Sequence, residues 1–335
     1  LNTVPSLAFL GCGSWGGALG LILAKKGVTV TMWHRDHVVA EYMKKTRIHY
    51  LVPELHFPEN VFFSTDIDKV FNSSDIVVVA IPSQSIRDVI TQIENKLVND
   101  NKVIVNVSKG IEIDTLKTAS QLIKEIVGVK SENTVTLSGP SHAEEVVAGH
   151  PTTLVSASVA LSTAKKIQNL FSNEKLRIYT NNDIRGVELG GAMKNVIAIA
   201  AGISDGIGFG DNSKAALMTR GMREIARLGQ AMGADPSTFA GLSGMGDLIV
   251  TCLSKYSRNW NVGYQIGEGK KLKEILNNMR MVAEGIETAK SIHKLKDKFE
   301  VEMPISENIY QILFHAADPK ESVSNLMGRE LSHEL

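Results

Sequence analysis

The sequence predicts two domains, a doubly wound α/β domain followed by an all-α domain. In the first half, short apolar runs rich in β-branched residues alternate with amphipathic helical patterns. After about Asp183 this alternation stops, and apolar residues recur at helical spacing. A length of 335 residues also suits two domains. We place the boundary within 183–187 and predict an α/β domain over 1–185 and a helical domain over 186–335.

Seven runs in the first half are predicted to be strands. They are Leu7–Leu10, Val28–Trp33, Val61–Phe63, Ile76–Ala80, Val103–Val107, Thr134–Leu137 and Thr153–Ser156. The amphipathic stretches between them predict helices over Ala18–Lys26, Val38–Thr46, Ile86–Leu97 and Leu116–Val127. Nearly continuous apolar strands separated by helices are typical of a parallel sheet that is covered on both faces.

The second half is predicted to be helical throughout. From Val187 onward, apolar positions such as Ala192, Val196, Ile199 and Ile203 follow the helical period. Three polar residues have the character of helix N-caps or turn residues, Asp211, Asp235 and Ser257. Gly233 and Gly269 are predicted to end helices.

The charge balance excludes several classes of partner. Lys and Arg total 36 and Asp and Glu total 36, so the formal net charge is zero. Proteins that bind nucleic acids or membrane surfaces carry a basic excess, whereas a small anionic ligand needs only a few local cations. Two cysteines, Cys12 and Cys252, are too few for a disulfide framework. No signal-peptide pattern is seen, and no apolar run near a predicted strand is long enough to span a membrane. We therefore expect a cytoplasmic protein without a membrane span or a retention signal.

The glycine-rich turn Gly11-Cys12-Gly13-Ser14-Trp15-Gly16 directly follows the first strand and opens a helix. In this context Gly11 permits the tight turn, Gly13 lets a pyrophosphate approach the backbone, and Gly16 lets the helix pack against the sheet. Cys12 needs only to be compact. The turn predicts a Rossmann-like dinucleotide site; the alternative is a glycine-rich turn that binds nothing.

The end of the second strand bears on the choice of cofactor. An NAD-specific domain usually carries an acidic residue there, for the ribose 2′-hydroxyl. Here His34 and Arg35 can neutralise a 2′-phosphate, while Asp36 either keeps NAD open or caps the next helix. We expect NADP, with NAD as a second cofactor. His34 and His37 are spaced like metal ligands, but no further ligands accompany them, so no metal site is predicted.

Two more strand ends carry polar residues, and ligands of open α/β sheets bind at such ends. Lys109 follows the strand Val103–Val107, where its ammonium suits an anionic substrate or a developing oxyanion. Gly139 and Ser141 follow Thr134–Leu137 and offer backbone and hydroxyl donors. The simpler alternatives are a solvated loop lysine and an ordinary turn.

The helical half contains three further candidates. Lys194 lies among small and apolar residues, where it is either a buried general base or a lysine that reaches the surface along a helix edge. Asp247, in Gly244-Met245-Gly246-Asp247, is predicted to place a carboxylate on a flexible turn. Ser257-Arg258-Asn259 combines a hydroxyl, a guanidinium and an amide that suit a phosphate, although Ser257 could be only a helix cap and Arg258 only a surface arginine.

Taken together, these segments resemble the bacterial-type NAD(P)-dependent glycerol-3-phosphate dehydrogenases over nearly the whole chain. The resemblance rests on the glycine-rich turn, Val107–Gly110, Ser138–Ser141 and, most specifically, Gly191-Ala192-Met193-Lys194-Asn195-Val196-Ile197-Ala198. It implies interconversion of sn-glycerol 3-phosphate and dihydroxyacetone phosphate, a role in glycerophospholipid synthesis, and a homodimer.

The resemblance also implies roles for individual residues. Lys194 would be the proton acceptor, with Lys109 and Asp247 as further catalytic residues. The substrate-binding set would be Lys109, Gly139, Ser141, Lys194, Asp247, Ser257, Arg258 and Asn259. The cofactor-binding set would be Gly11, Gly13, Ser14, Trp15, Gly16, His34, Arg35, Tyr50, Lys109, Ala143, Arg258, Val282 and Glu284. The active site is expected between the two domains.

Two other functions remain open from the residues alone. One is a hydroxy-acid or sugar-acid dehydrogenase of the same layout, which would recognise a carboxylate rather than a phosphate. The other is a non-catalytic NAD(P)H sensor, which would have no need for Lys194 in an apolar helix or for the cluster Ser257–Asn259.

Overall fold

A computed structural model describes residues 6–94, 98–99, 101–279, 281–330 and 333. These residues form two compact units. The first unit comprises the described residues up to Gly110 together with Lys117–Glu188, and the second comprises Ile111–Leu116 together with the described residues from Leu189 onward.

The first unit is built on one eight-stranded sheet. Its strands are β1 (Ser6–Leu10), β2 (Thr29–Trp33), β3 (Val61–Ser64), β4 (Ile76–Val79), β5 (Val103–Asn106), β6 (Thr134–Ser138), β7 (Thr152–Ala157) and β8 (Leu176–Asn181). Their spatial order is β3-β2-β1-β4-β5-β6-β7-β8. The strands β1 to β6 are parallel, β7 is antiparallel to β6, and β8 is parallel to β7. The architecture is thus the expected Rossmann-like one.

Two details of the sheet differ from the prediction. The expected parallel sheet reverses direction at β7, because the helix that precedes this strand has only five residues. Such a helix extends about 7.5 Å, which is too short to return the chain along a strand. The edge strand β8 is absent from the prediction because Leu176 and Ile178 are buried while Arg177 and Tyr179 are exposed, and such a half-exposed strand gives a weak sequence signal.

Helices cover both faces of this sheet. They are α1 (Ser14–Lys25), α2 (His37–Thr46), α3 (Ile67–Asn72), α4 (Ile86–Thr91), α5 (Ala119–Val127), α6 (Ala143–Val147) and α7 (Leu161–Phe171). The prediction missed α3, α6 and α7. The helix predicted over Ile86–Leu97 ends at Thr91, and residues 95–97 lie outside the described residues. The helix predicted from Leu116 begins only at Ala119, because the backbone of Leu116 is left-handed.

Alternate side chains of each inner strand point to opposite faces, and each face has its own apolar core. Leu7 and Phe9 of β1 join the core on one face, whereas Ala8 and Leu10 join the core on the other. Burial on both faces explains why the strands are nearly continuous apolar runs.

The described part of the second unit is helical. Its helices are α8 (Ile184–Ile207), of which the second unit contains Leu189 onward, α9 (Asp211–Ala231), α10 (Pro236–Phe239), α11 (Asp247–Leu253), α12 (Arg258–Gly267), α13 (Leu272–Asn277), α14 (Glu284–Lys298), α15 (Pro304–His315) and α16 (Pro319–Met327). A short π-helical segment, Leu242–Gly246, directly precedes α11. The predicted helix stops Gly233 and Gly269 both have positive φ angles. Asp235 and Ser257 are N-caps, but Asp211 is the first residue of α9 and Gly210 is the cap.

The helix α8 is the core of this unit. With 24 residues it is long and apolar enough to cross a membrane by length and composition, yet its most apolar segment is completely buried within the structure. It packs very closely on α12. A Cβ atom at Gly202 would lie 2.1 Å from the carbonyl oxygen of Trp260, and one at Gly263 would lie 2.0 Å from that of Ile199. Glycine therefore lets the two helix backbones touch.

Candidate active site

The glycine-rich turn has the geometry that its three glycines predict. Gly11 has a φ of +106°, and a Cβ atom there would lie 2.4 Å from the carbonyl oxygen of Ala80. A Cβ atom at Gly16 would lie 2.8 Å from the carbonyl oxygen of Gly11, whereas one at Gly13 would contact nothing within 4 Å. The protein's own packing thus requires Gly11 and Gly16, while Gly13 leaves open space where a ligand can approach the backbone.

The residues of this turn fit a dinucleotide. The helix α1 begins at Ser14, so its N-terminal N–H groups and the positive end of its dipole face the turn. The indole Nε1 of Trp15 is buried and has no hydrogen-bond acceptor among the described residues. Buried donors are normally satisfied, and an acceptor on a bound ligand would satisfy this one.

His49, which sequence reasoning did not identify, forms a hydrogen bond to the backbone of this turn. The Nδ1 atom of the buried His49 accepts hydrogen bonds from the backbone N–H groups of Leu51 and Val52, each at 3.1 Å. The ring proton is therefore on Nε2, which donates to the carbonyl oxygen of Cys12 at 3.1 Å. Burial lowers the pKa of His49, and this effect is larger than the opposite effect of the hydrogen bond to Cys12. No local sequence signal marks a histidine that acts 37 positions away from its partner.

Two of the predicted cofactor residues contact each other beside this histidine. The ring of Tyr50 stacks on His49 with centroids 5.0 Å apart and meets His34 edge-on at 5.1 Å. Arg35 lies exposed at the end of β2. Asp36 caps α2, since its carboxylate accepts hydrogen bonds from the N–H groups of Val38 and Val39. The alternative role proposed for Asp36, as a helix cap, is therefore present.

Three predicted substrate residues meet at one carbonyl group. Lys109 Nζ donates to the carbonyl oxygen of Gly139 at 3.0 Å, and Ser141 Oγ donates to the same oxygen at 2.9 Å. Gly139 has a φ of +137°, a value that residues with a side chain rarely adopt. Lys109 is partly buried, so it is not the fully solvated loop lysine that was the simpler alternative. Ala143 begins α6 four residues after Gly139.

In the second unit, Lys194 and Asp247 form a buried ion pair. Their Nζ and Oδ1 atoms are 2.8 Å apart, and the side chains are only 7% and 1% exposed. Lys194 also donates to Thr251 Oγ1 at 2.5 Å, and that hydroxyl donates to the carbonyl oxygen of Asp247 at 2.6 Å. The surface-reaching lysine considered above is thus wrong. An ammonium buried this deeply requires a counter-charge, and Asp247 supplies it.

The expected flexible turn at Asp247 is also wrong. Gly244 and Gly246 belong to the π-helical segment, and Asp247 is the first residue of α11. The dense packing of Gly244 explains why this segment is helical rather than a flexible turn. A Cβ atom at Gly244 would lie 2.1 Å from the carbonyl oxygen of Phe239. Sequence reasoning did not select Thr251, although its position one helical turn after Asp247 could have indicated it.

Two candidates at the start of α12, Arg258 and Asn259, form hydrogen bonds with other parts of the second unit. Asn259 Nδ2 donates to Asn195 Oδ1 at 2.9 Å, and Asn259 Oδ1 accepts from the N–H of Gly285 at 2.9 Å. Arg258 is exposed and donates to the carbonyl oxygen of Val282 at 3.2 Å. A fixed amide and an extended guanidinium therefore lie next to each other at the start of α12.

The other candidates in this unit are Ser257, Val282 and Glu284. Ser257 Oγ caps α12 by accepting from the N–H of Trp260 at 3.1 Å, so the capping role considered above is present. Val282 is exposed, and Glu284 is the first residue of α14.

The two cysteines are buried, and metal-binding side chains are scattered among the described residues. Cys12 and Cys252 are free and buried. Burial raises the pKa of the Cys252 thiol to about 12, and burial also holds the pKa of the Cys12 thiol well above its ordinary value. Within the part of the chain that the structure describes, no three His, Cys, Asp or Glu side chains come together in a group that could hold a metal ion.

Comparison with known proteins gives a consistent result over both units. The family model for the N-terminus of NAD-dependent glycerol-3-phosphate dehydrogenase matches residues 6–164, and the model for its C-terminus matches residues 183–324. The chain is 48% identical to glycerol-3-phosphate dehydrogenase [NAD(P)+] from Geobacillus kaustophilus over 334 residues, covering 99% of this chain and 97% of the relative. It is 49% identical to the enzyme of the same name from Listeria monocytogenes over 331 residues, covering 98% and 97%.

A solved structure agrees with this result. The crystal structure of glycerol-3-phosphate dehydrogenase from Coxiella burnetii superimposes with a TM-score of 0.92 at 34% identity, covering 97% of this chain and 99% of that one. Matches of this extent, in sequence and in fold, show that the chain belongs to the NAD-dependent glycerol-3-phosphate dehydrogenase family.

Proposed function

We propose that this chain is an oxidoreductase that interconverts sn-glycerol 3-phosphate and dihydroxyacetone phosphate with NADP, and with NAD as a second cofactor. The observation that carries the proposal is the buried pair of Lys194 and Asp247, both of which lie within the residues that match the family's C-terminal model. A buried ammonium held at a fixed position is the group that a carbonyl reduction needs for its proton.

Residues of the first unit would hold the cofactor. The backbone at Gly13 and the start of α1 would bind the pyrophosphate, with Ser14 and Trp15 beside it. Arg35 would neutralise a ribose 2′-phosphate, and its exposed guanidinium is accessible for this role. Hydride is supplied or accepted by the nicotinamide ring when the cofactor is bound.

Lys194 would carry the proton. In reduction its ammonium donates a proton to the C2 carbonyl oxygen as hydride reaches C2, and in oxidation the amine accepts the proton of the C2 hydroxyl. Asp247 balances the positive charge, and Thr251 holds Nζ in place through its hydroxyl. Asp247 could orient either Lys194 or a substrate hydroxyl, and its 2.8 Å contact with Lys194 Nζ supports the first role in this proposal.

The substrate phosphate would be bound by the cluster at the start of α12. Arg258 supplies the charge, the amide of Asn259 is fixed by Asn195, and Ser257 caps the helix whose N-terminus attracts an anion. Lys109, held near Gly139 and Ser141, would stabilise charge on the reacting oxygen.

A spectrophotometric assay tests the proposal. We expect purified protein to oxidise NADPH when dihydroxyacetone phosphate is added, and NADH less efficiently. Oxidation with 2-keto acids but not with dihydroxyacetone phosphate would favour the hydroxy-acid dehydrogenase. Binding of NADPH without turnover of any of these substrates would favour the sensor.

Replacing Lys194 by Met tests the proton carrier, because Met keeps the length of the side chain and removes the charge. We expect kcat to fall at least ~10²-fold, the usual scale for loss of a general acid–base. Lys102→Met is the matched control, since Lys102 is also buried and donates to the carbonyl oxygens of Phe71 and Ser74. Near-normal turnover of folded Lys194→Met would contradict the role.

The biological setting also belongs to the proposal. Reduction of dihydroxyacetone phosphate yields the phosphorylated glycerol backbone from which glycerophospholipids are built. The family resemblance further implies a cytoplasmic homodimer.

A further inference from the structure

One buried carboxylate in the first unit accepts four hydrogen bonds and has no place in the mechanism above. Glu188 is 5% exposed and is the last residue of the first unit. Its Oε1 atom accepts from the N–H of Ser120 at 2.9 Å, from Thr136 Oγ1 at 2.8 Å and from Asn106 Nδ2 at 3.1 Å. Its Oε2 atom accepts from Ser120 Oγ at 2.6 Å. These donors come from β5, β6 and α5, so a single carboxylate joins three elements.

Through Asn106, Glu188 acts on the loop that carries Lys109. Asn106 ends β5, and its Oδ1 atom accepts from the N–H of Ser108 at 2.9 Å while its Nδ2 atom donates to the carbonyl oxygen of Ser108 at 3.1 Å. Ser108 Oγ in turn donates to the carbonyl oxygen of Ile81 at 2.6 Å. Both backbone polar groups of the residue just before Lys109 are thus held by one amide, and Glu188 orients that amide.

Through Thr136, the same carboxylate acts on the strand that leads to Gly139. Thr136 lies in β6, three residues before the carbonyl group that accepts the hydrogen bond from Lys109. Glu188 therefore contacts both strands whose ends meet in the Lys109–Gly139 hydrogen bond. A buried charge is costly, and the four donors are what make it stable.

We propose that Glu188 is a positioning residue that sets the place of Lys109 relative to Gly139 for substrate binding. The inference deepens the proposed function and rests on it. Glu188 does not touch the reacting atoms in this scheme. It acts through Asn106 and Thr136, whose geometry decides where the Lys109 ammonium lies. A misplacement of about 1 Å at such a group can cost up to ~100-fold in rate.

The chain offers a matched control in a second buried glutamate. Glu224 is 3% exposed and accepts from the N–H groups of Ile305 and Ser306 at 2.6 and 3.0 Å and from Ser306 Oγ at 2.8 Å. It thereby caps the start of α15, which carries none of the candidate site residues. Loss of either carboxylate should lower stability, but only loss of Glu188 should change catalysis.

The test is a double-mutant cycle between Glu188→Ala and Lys109→Ala, with thermal unfolding of each variant measured alongside. We expect Glu188→Ala to lower kcat/KM for dihydroxyacetone phosphate about 10-fold or more, mainly through KM. In the Lys109→Ala background the same substitution should change kcat/KM less than about 2-fold, because its target is already gone. Glu188→Gln keeps the Oε1 acceptor and should restore activity to within about 3-fold of wild type. Glu224→Ala should lower the unfolding temperature and leave kcat/KM unchanged.

Multiplicative effects of Glu188→Ala and Lys109→Ala would overturn the proposal, as would a loss of stability in Glu188→Ala with unchanged kcat/KM. If Glu188→Ala does not fold, Asn106→Ala takes its place in the cycle, because it breaks the same connection to Ser108. If the wild-type protein does not reduce dihydroxyacetone phosphate, the proposed function fails. The cycle is then read from the Kd for NADPH by fluorescence, since Lys109 is also a proposed cofactor contact, and the same non-additivity decides.

Discussion

The surroundings of each cationic side chain in this protein determine whether its charge is already paired or is accessible to a ligand. Lys194 is buried against Asp247, Lys109 reaches a carbonyl oxygen, and Arg35 extends from the end of β2 into solvent. Removing one partner of a buried ion pair typically costs about 3–5 kcal/mol, because the other charge remains without a partner. An exposed cation has no such cost and is free to bind a ligand.

The cofactor preference is a prediction at this scale. Arg35→Ala should raise KM for NADPH about 10-fold or more and change KM for NADH far less, since a hydrogen bond to a charged group contributes about 1.5–3 kcal/mol. Steady-state kinetics with each cofactor measures the ratio. Lys45→Ala, which removes an exposed cation from the following helix, is the control. Equal losses for both cofactors would mean that Arg35 does not bind the 2′-phosphate.

A second residue-scale prediction concerns pH and His49. Burial lowers the pKa of His49 in the folded protein, whereas the unfolded chain keeps the ordinary value of about 6.5. As the pH falls below about 6.5, the unfolded state therefore binds a proton that the folded state does not, and the free energy of unfolding decreases. Protonation would also remove the acceptor that Leu51 and Val52 use.

The measurement is urea unfolding between pH 8 and pH 5 for wild type and His49→Gln. Glutamine can still donate to Cys12 but does not titrate. The variant should lose less stability than wild type as the pH falls through this range. Parallel curves would show that His49 does not contribute to the pH dependence.

Two helices of the second unit form a glycine-mediated contact. Gly202 and Gly206 of α8 face Gly263 and Gly267 of α12, and at each of these positions a Cβ atom would lie within 2.6 Å of a backbone oxygen of the other helix. The contact holds α12, which begins with Arg258 and Asn259, against the helix that contains Lys194 and Asn195. Packing at this contact therefore sets the spacing of three candidate site residues, Lys194, Arg258 and Asn259.

Gly263→Ala tests this contact. An added methyl group 2.0 Å from the carbonyl oxygen of Ile199 cannot be accommodated without moving a backbone, and such overpacking costs about 1–3 kcal/mol. This loss should exceed the gain of about 1 kcal/mol from replacing a helical glycine. Chemical denaturation measures the difference. Gly328→Ala, where a Cβ atom would lie no closer than 3.4 Å to any neighbouring atom, should change stability by less than about 1 kcal/mol.

The whole molecule is electrically neutral, with 36 basic and 36 acidic residues. Neutrality argues against a polyanion partner, yet four cations stand at proposed ligand positions, Arg35, Lys109, Lys194 and Arg258. Local placement, rather than net charge, thus prepares this chain for small phosphorylated ligands.

Cofactor binding should stabilise the molecule in a measurable way. NADPH at 100 times its Kd should raise the free energy of unfolding by about 2.7 kcal/mol, because it binds the folded state only. If the two units unfold separately, the transition of the first unit, which contains the glycine-rich turn, should move most. Arg35→Ala at the same NADPH concentration should show a smaller shift. No shift at saturating NADPH would contradict the proposed dinucleotide site.

Features that depend on neighbours along the chain could be predicted from the amino-acid sequence alone. The glycine-rich turn, the apolar strands, the helical second half and the N-cap at Ser257 all follow from local backbone preferences and periodicity. The edge strand β8 and the reversal at β7 did not follow, because a half-exposed strand and a five-residue helix give weak local signals.

The pairing of buried polar side chains could be read only from the packed fold. The hydrogen-bonded residues are far apart in the sequence: Lys194 and Thr251 by 57 positions, Glu188 and Asn106 by 82, and His49 and Cys12 by 37. In each case a buried polar group needs a partner, and many residues of suitable chemistry are available in the sequence. The packed fold selects one of them, since burial makes an unsatisfied group costly and brings only a few candidates within hydrogen-bond distance.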